Sequence, residues 1–115
     1  TRDGTGEHDY IHVGDLARAH LAAIDHARSS RGFQVFNIGT GRGVTVLELA
    51  AAFAEVSGRP IATTITTRRP GDLARFYADA QLAEKTFGWR AQQSIFDICA
   101  DAWRWQVENP EGYSA

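Results

Sequence analysis

FQVFNIGTGRGVTVLELAAAF, residues 33–53, decides the fold class. Its first part, FQVFNI (33–38), carries apolar residues on both faces. Such a strand is covered on both sides, as in a parallel sheet. GTGRG (39–43) then turns the chain. Thr45-Val-Leu-Glu48 has capping-box spacing, a hydroxyl at the N-cap and a carboxylate three residues on. Val46, Leu49, Phe53 and Val56 recur at helical intervals. Ser57-Gly58 stops the helix and Pro60 prevents its continuation. Strand, glycine turn and helix in succession predict an α/β fold.

Outward from this unit the pattern continues. TRDGTGE reads as a polar turn and YIHV (10–13) as a short strand. Asp15 is placed to cap a helix from Leu16 to Arg28. Leu16, Ala17, Leu21, Ile24 and Ala27 form its apolar arc, with Arg18, Asp25 and His26 outside. His20 falls within the arc and is expected as a packed histidine with one hydrogen bond. IATTITT (61–67) is rich in β-branched residues and predicts a strand. RRPGD (68–72) is a turn. Asp79 can cap a helix over 80–87, and Ser94 one over 95–108. The expected order is β-α-β-α-β-turn-α-α. In the last helix Asp97, Asp101, Arg104 and Glu108 form one polar strip, and apolar residues cover most of the rest. A surface helix is apolar on one side only, so this one calls for neighbours or an oligomer.

Length and composition set bounds. At 115 residues the chain fits one domain or part of a larger one. Hydrophobic content of 43% is ordinary for a globular protein. A net charge of −2 argues against a general nucleic-acid binder. Cys99 stands alone, so neither an intrachain disulfide nor a cysteine zinc site can form. That suits a reducing cytoplasm. No apolar run is long enough for a membrane helix. The chain has no methionine and begins at Thr1, which suggests part of a longer protein.

Three stretches are candidates for chemistry. The first is GTGRG. A dinucleotide fingerprint needs G-x-G-x-x-G and an acidic residue about 20 positions on. Here the spacing is G-x-G-x-G, and residues 60–67 offer only Pro, Ile, Ala and Thr. The turn either cradles phosphate or serves tight backbone geometry. The second is RRPGD. Pro70-Gly71 suits the centre of a type II turn, which brings Arg69 and Asp72 together. Arg offers a planar fork to phosphate oxygens and Asp accepts from sugar hydroxyls. The alternative is a solvated turn with a weak ion pair. The third is HDYIH, where His8 and His12 with Asp9 or Asp15 are conceivable metal ligands, without a clear third. Trp103 and Trp105 either stack on a ligand or fill a core. There is no G-x-S-x-G, H-E-x-x-H, Walker A or Tyr-x-x-x-Lys.

Four stretches carry a resemblance: DGTGEHDYIHVGDLARAH, VFNIGTGRGVTVLELAAAF, RRPGDLARFYADAQLAEKTFGW and DAWRWQVENPEGY. In this order, over nearly the whole chain, they resemble the C-terminal part of the UDP-glucose 4-epimerases, extended short-chain dehydrogenase/reductases of the NAD-dependent epimerase/dehydratase family. The R-R-x-G-D loop and N-P-x-G-Y ending point to the epimerase branch.

The resemblance implies the last helix–strand pair of a Rossmann-like parallel sheet plus a small α/β substrate-binding lobe, residues 1–115 being one portion. It implies an NAD-binding N-terminal Rossmann domain outside these residues. There a Tyr-x-x-x-Lys pair and a Ser or Thr would do the chemistry, with NAD taking hydride from the sugar C4 and returning it to the other face. It also implies that Arg69 binds the UDP phosphates, that Asp72 holds the ribose, and that Phe76 limits the sugar pocket to glucose and galactose. His8 stands where the family usually has an arginine to the phosphates, and it lacks the fork. By the same resemblance GTGRG is structural. Catalytic residues and a bound cofactor are not expected within the chain, and the isolated chain should be inactive and self-associate. The parent enzyme would be a cytoplasmic homodimer in galactose metabolism. Two alternatives are a non-catalytic nucleotide- or protein-binding remnant and part of another nucleotide-sugar epimerase, dehydratase or decarboxylase.

Overall fold

The computed structural model describes residues 1–113. Three two-residue strands and four helices alternate: β1 (Glu7–His8), α1 (Val13–Ser29), β2 (Val44–Thr45), α2 (Val46–Ser57), β3 (Arg75–Phe76), α3 (Gln81–Phe87) and α4 (Ile95–Glu108). The sheet order is β2-β1-β3. β1 runs antiparallel to β2, with Glu7 opposite Thr45, and parallel to β3, with Glu7 opposite Arg75 and His8 opposite Phe76. The mixed sheet with packed helices is the expected α/β class.

The helices follow their local signals. Thr45 Oγ1 accepts from the Glu48 N–H while the Glu48 carboxylate accepts from the Thr45 N–H, so the α2 capping box is complete. Ser94 and Asp97 form the same device at α4. Gly58 and Gly88 end α2 and α3 in the left-handed region, at φ 65° and 70°. At α1 the cap is His12, whose Nδ1 accepts from the Gly14 N–H at 2.9 Å. Asp15 lies inside the first turn, fully buried, and accepts from the backbone N–H groups of Gln92 and Gln93. It also pairs with Arg18. This carboxylate serves a distant segment rather than its own helix end.

The strands stand elsewhere than expected. None covers 10–13, 33–38 or 61–67. A strand exists only where a neighbour completes its ladder, and among the described residues none pairs with these three stretches. In 33–38 only Phe36 and Ile38 pack inward, while Phe33 and Val35 are 90% and 65% exposed. Residues 58–77 are exposed throughout.

One core gathers Ala19, Ala83 and Trp89, with Ile11, Ala22, Phe36, Ile38 and Phe87 against it. A second contact joins α2 and α4, where Ala52 and Cys99 are buried and Phe53 meets Trp103 edge to face. α1 presents the Ala19–Ala22–His26 side to the core. The expected apolar arc faces outward instead: Leu21 and Ile24 are exposed, as is Val13. His20 is likewise exposed, bonded to the Leu16 carbonyl, and is not a core residue. His26 packs against Phe36 and Phe87. The radius of gyration is 17.0 Å, against about 13 Å for a compact domain of this length. The molecule is correspondingly open.

Candidate functional site

The type II turn forms as expected. Pro70 and Gly71 are central, Gly71 has φ 87°, and the Asp72 N–H reaches the Arg69 carbonyl at 3.3 Å. Arg69 Nε donates to Asp72 Oδ2 at 3.0 Å, and Arg68 holds the Asp72 carbonyl. Both members of the pair are solvated, Arg69 more than Asp72. The guanidinium therefore keeps most of its donors toward solvent.

From this turn the chain enters β3. The Glu7 N–H donates to the Ala74 carbonyl and the Asp9 N–H to the Phe76 carbonyl. Residues on one face of paired strands stand side by side, so this register sets His8 beside Phe76. His8 is half-buried and its ring leans over Gly6, while Phe76 is exposed. Two of the four expected ligand residues, His8 and Phe76, are thus direct neighbours. The other two, Arg69 and Asp72, form the turn that leads into the same strand.

Beneath this surface lies a charged network. Glu7, buried, accepts from Arg75 Nε at 3.2 Å and pairs with Arg2 Nη1 at 3.2 Å. Arg2 also engages Glu48. That hydrogen bond is the main reason the Glu48 carboxyl sits below the ordinary carboxylate range.

The glycine turn is occupied from within. Asp9 carboxylate oxygens accept from the Thr40 N–H at 3.0 Å, the Gly41 N–H at 3.0 Å and the Thr40 hydroxyl. The donors that a phosphate would need are already satisfied. Asp9 was a conceivable metal ligand in the sequence; here its oxygens face donors. His12 has moved off any strand to cap α1, with Nε2 3.0 Å from Asp101. Among the described residues no three metal-ligating side chains cluster.

A cavity of about 920 Å³ has none of the four expected residues in its lining. Tyr10, Thr40, Tyr77, Trp89 and Phe96 help to line it. The Asp9 contacts join positions 31 and 69 residues apart, and no local spacing signals them. Trp103 meets Phe53 edge to face and lies beneath the Arg59 guanidinium, so it serves packing.

Comparison with known proteins places this geometry. Residues 1–39 match the model of the NAD dependent epimerase/dehydratase family. Within it, the likeness is to UDP-glucose 4-epimerases. The enzyme of Erwinia amylovora is 49% identical over 114 residues, which are 99% of this chain and 34% of that protein. The crystal structure of the Bifidobacterium longum UDP-glucose 4-epimerase in complex with NAD+ and UDP superposes with a TM-score of 0.93 at 50% identity. It covers 98% of this chain and 33% of that one. A UDP-glucose-4-epimerase from Stenotrophomonas maltophila with bound NAD and formylated UDP-arabinopyranose gives 0.92 at 44% identity, covering 96% and 33%. The chain spans about a third of the length of these relatives and matches their C-terminal portion.

Proposed function

We propose that the chain forms the UDP-sugar-binding portion of a UDP-glucose 4-epimerase, which interconverts UDP-glucose and UDP-galactose through a 4-keto intermediate. The observation that carries this reading is the superposition on an epimerase in complex with NAD+ and UDP, at half identity over nearly the whole chain. Arg69 supplies a fork of donors to the diphosphate, Asp72 accepts from the ribose hydroxyls, and Phe76 walls the sugar. His8, beside Phe76, offers a single donor where a guanidinium would offer a fork.

Oxidation at C4 needs a hydride acceptor and a base, and neither comes from these residues. The turn that would have to receive a pyrophosphate is filled by Asp9. NAD and a Tyr-x-x-x-Lys pair accordingly belong to the other two thirds of the family's length. The chain by itself binds but does not catalyse. The exposure of Arg69, Asp72 and Phe76 agrees with a site that has one wall here and another elsewhere. With this reading go a cytoplasmic homodimer in galactose metabolism and self-association of the isolated chain.

Calorimetric titration with UDP tests the reading. One wall of a site gives weak binding, with Kd on the order of millimolar. Arg69→Ala should weaken it about tenfold, the worth of a charge-assisted hydrogen bond or two. Absent binding, or binding indifferent to Arg69→Ala, would overturn the assignment.

A further inference from the structure

Asp9 touches both sides of Tyr77, the residue that follows β3. Its N–H donates to the Phe76 carbonyl at 3.0 Å, and its Oδ2 accepts from the Ala78 N–H at 3.2 Å. In a parallel ladder a residue donates to one position on its neighbour and accepts, through its own carbonyl, from the position two further on. Here the side-chain carboxylate stands in for that carbonyl. The same carboxylate holds the Thr40 and Gly41 amides. One anion thus ties three segments at one point: the end of β1, the glycine turn and the exit of β3. The fit is close, since a β-carbon on Gly39 would stand 2.5 Å from Asp9 Oδ2 and 2.7 Å from Ala78 Cβ.

We infer that Asp9 is a positioning residue: it fixes the exit of β3 against the glycine turn, and so sets where Phe76 stands over the sugar. This rests on the binding reading above. Neither Arg69 nor Asp72 bonds to Asp9, so the Arg69 and Asp72 contacts with UDP should not depend on it. Asp9→Ala removes both oxygens and leaves the Gly41 and Ala78 N–H groups without their acceptor.

Hydrogen exchange by NMR on the full chain tests the clamp. The Gly41 and Ala78 amides have no backbone acceptor, so in the wild type their protection should come from Asp9. Exchange at random-coil rates there would overturn the inference without any variant. In Asp9→Ala both amides should exchange at least roughly tenfold faster, while Gln92 and Gln93, held by Asp15, stay protected. A uniform rise across all four would mean general loosening and would overturn it. Paired titrations read the consequence. Asp9→Ala should weaken UDP-glucose several-fold more than UDP; equal weakening would overturn the positioning role. A wild type that binds neither nucleotide would sink the binding reading, while the exchange data still decide whether Asp9 is the clamp.

Discussion

His8 and Phe76 are register partners in the parallel pairing of β1 with β3, so the residue expected at the phosphates and the one expected at the sugar stand side by side on the sheet. His8 is half-buried and Phe76 is 64% exposed. His8→Arg should restore a bidentate donor and tighten UDP about tenfold. Added salt should erase part of that gain. Titration at two ionic strengths checks both, and an unchanged Kd would place the phosphates elsewhere.

Gly43 matters for contact rather than for its backbone angle. A β-carbon there would press into the Glu7 carboxylate, which is buried between Arg2 and Arg75. Gly43→Ala should cost roughly 1–3 kcal/mol, the usual range for overpacking. Urea unfolding measures it. Gly112→Ala meets no neighbouring atom and serves as a reference for left-handed strain alone, its φ being 77°.

Acid should loosen the helix starts. The Asp97 carboxyl is held low by its hydrogen bond from Ser94, Glu48 by Arg2, and Asp3 by the Thr45 hydroxyl. A lowered folded value means that the stabilisation is present above the ordinary carboxylate pKa and is lost as pH falls through the folded one. The urea midpoint should hold from pH 7 to about 5 and fall below about pH 4. Asp97→Asn should reduce that slope. Burial raises Tyr10 and Cys99, so their contributions are lost on the alkaline side.

The outward arc of α1, with Leu21 and Ile24 exposed, and the exposed Val13, Phe33 and Val35 should drive association of the isolated chain. Exposed apolar area of this kind seeks cover. Sedimentation should show oligomers growing with concentration. Leu21→Asp with Ile24→Lys should shift them to monomer without lowering the unfolding free energy by more than about 0.5 kcal/mol, since neither side chain is in the core.

The helices were legible because their causes are local. Thr45/Glu48 and Ser94/Asp97 are three apart, and Gly58 and Gly88 mark ends by a conformation that glycine adopts freely. The turn at Pro70-Gly71 was legible for the same reason. The strands were not, because a ladder needs a partner that periodicity does not name. IATTITT has β propensity but no neighbour, whereas Glu7–His8 has two. The helical wheel of α1 identified a true apolar arc but assigned it inward. Its small residues, Ala19 and Ala22, make the close contact instead. Asp15 looked like a cap because capping is a local habit of Asp, and its actual partners are 77 and 78 residues away.

The uniformly exposed run from 58 to 77 separates the chain's connectivity from its cohesion. Asp9 with Ala78, Asp15 with Gln92 and Gln93, and the α2–α4 face all join residues before position 58 to residues after 77. A protease that severs the Arg68–Arg69 bond therefore cuts the thread without cutting these seams. Two peptides would then run apart on a denaturing gel yet travel together through a native column.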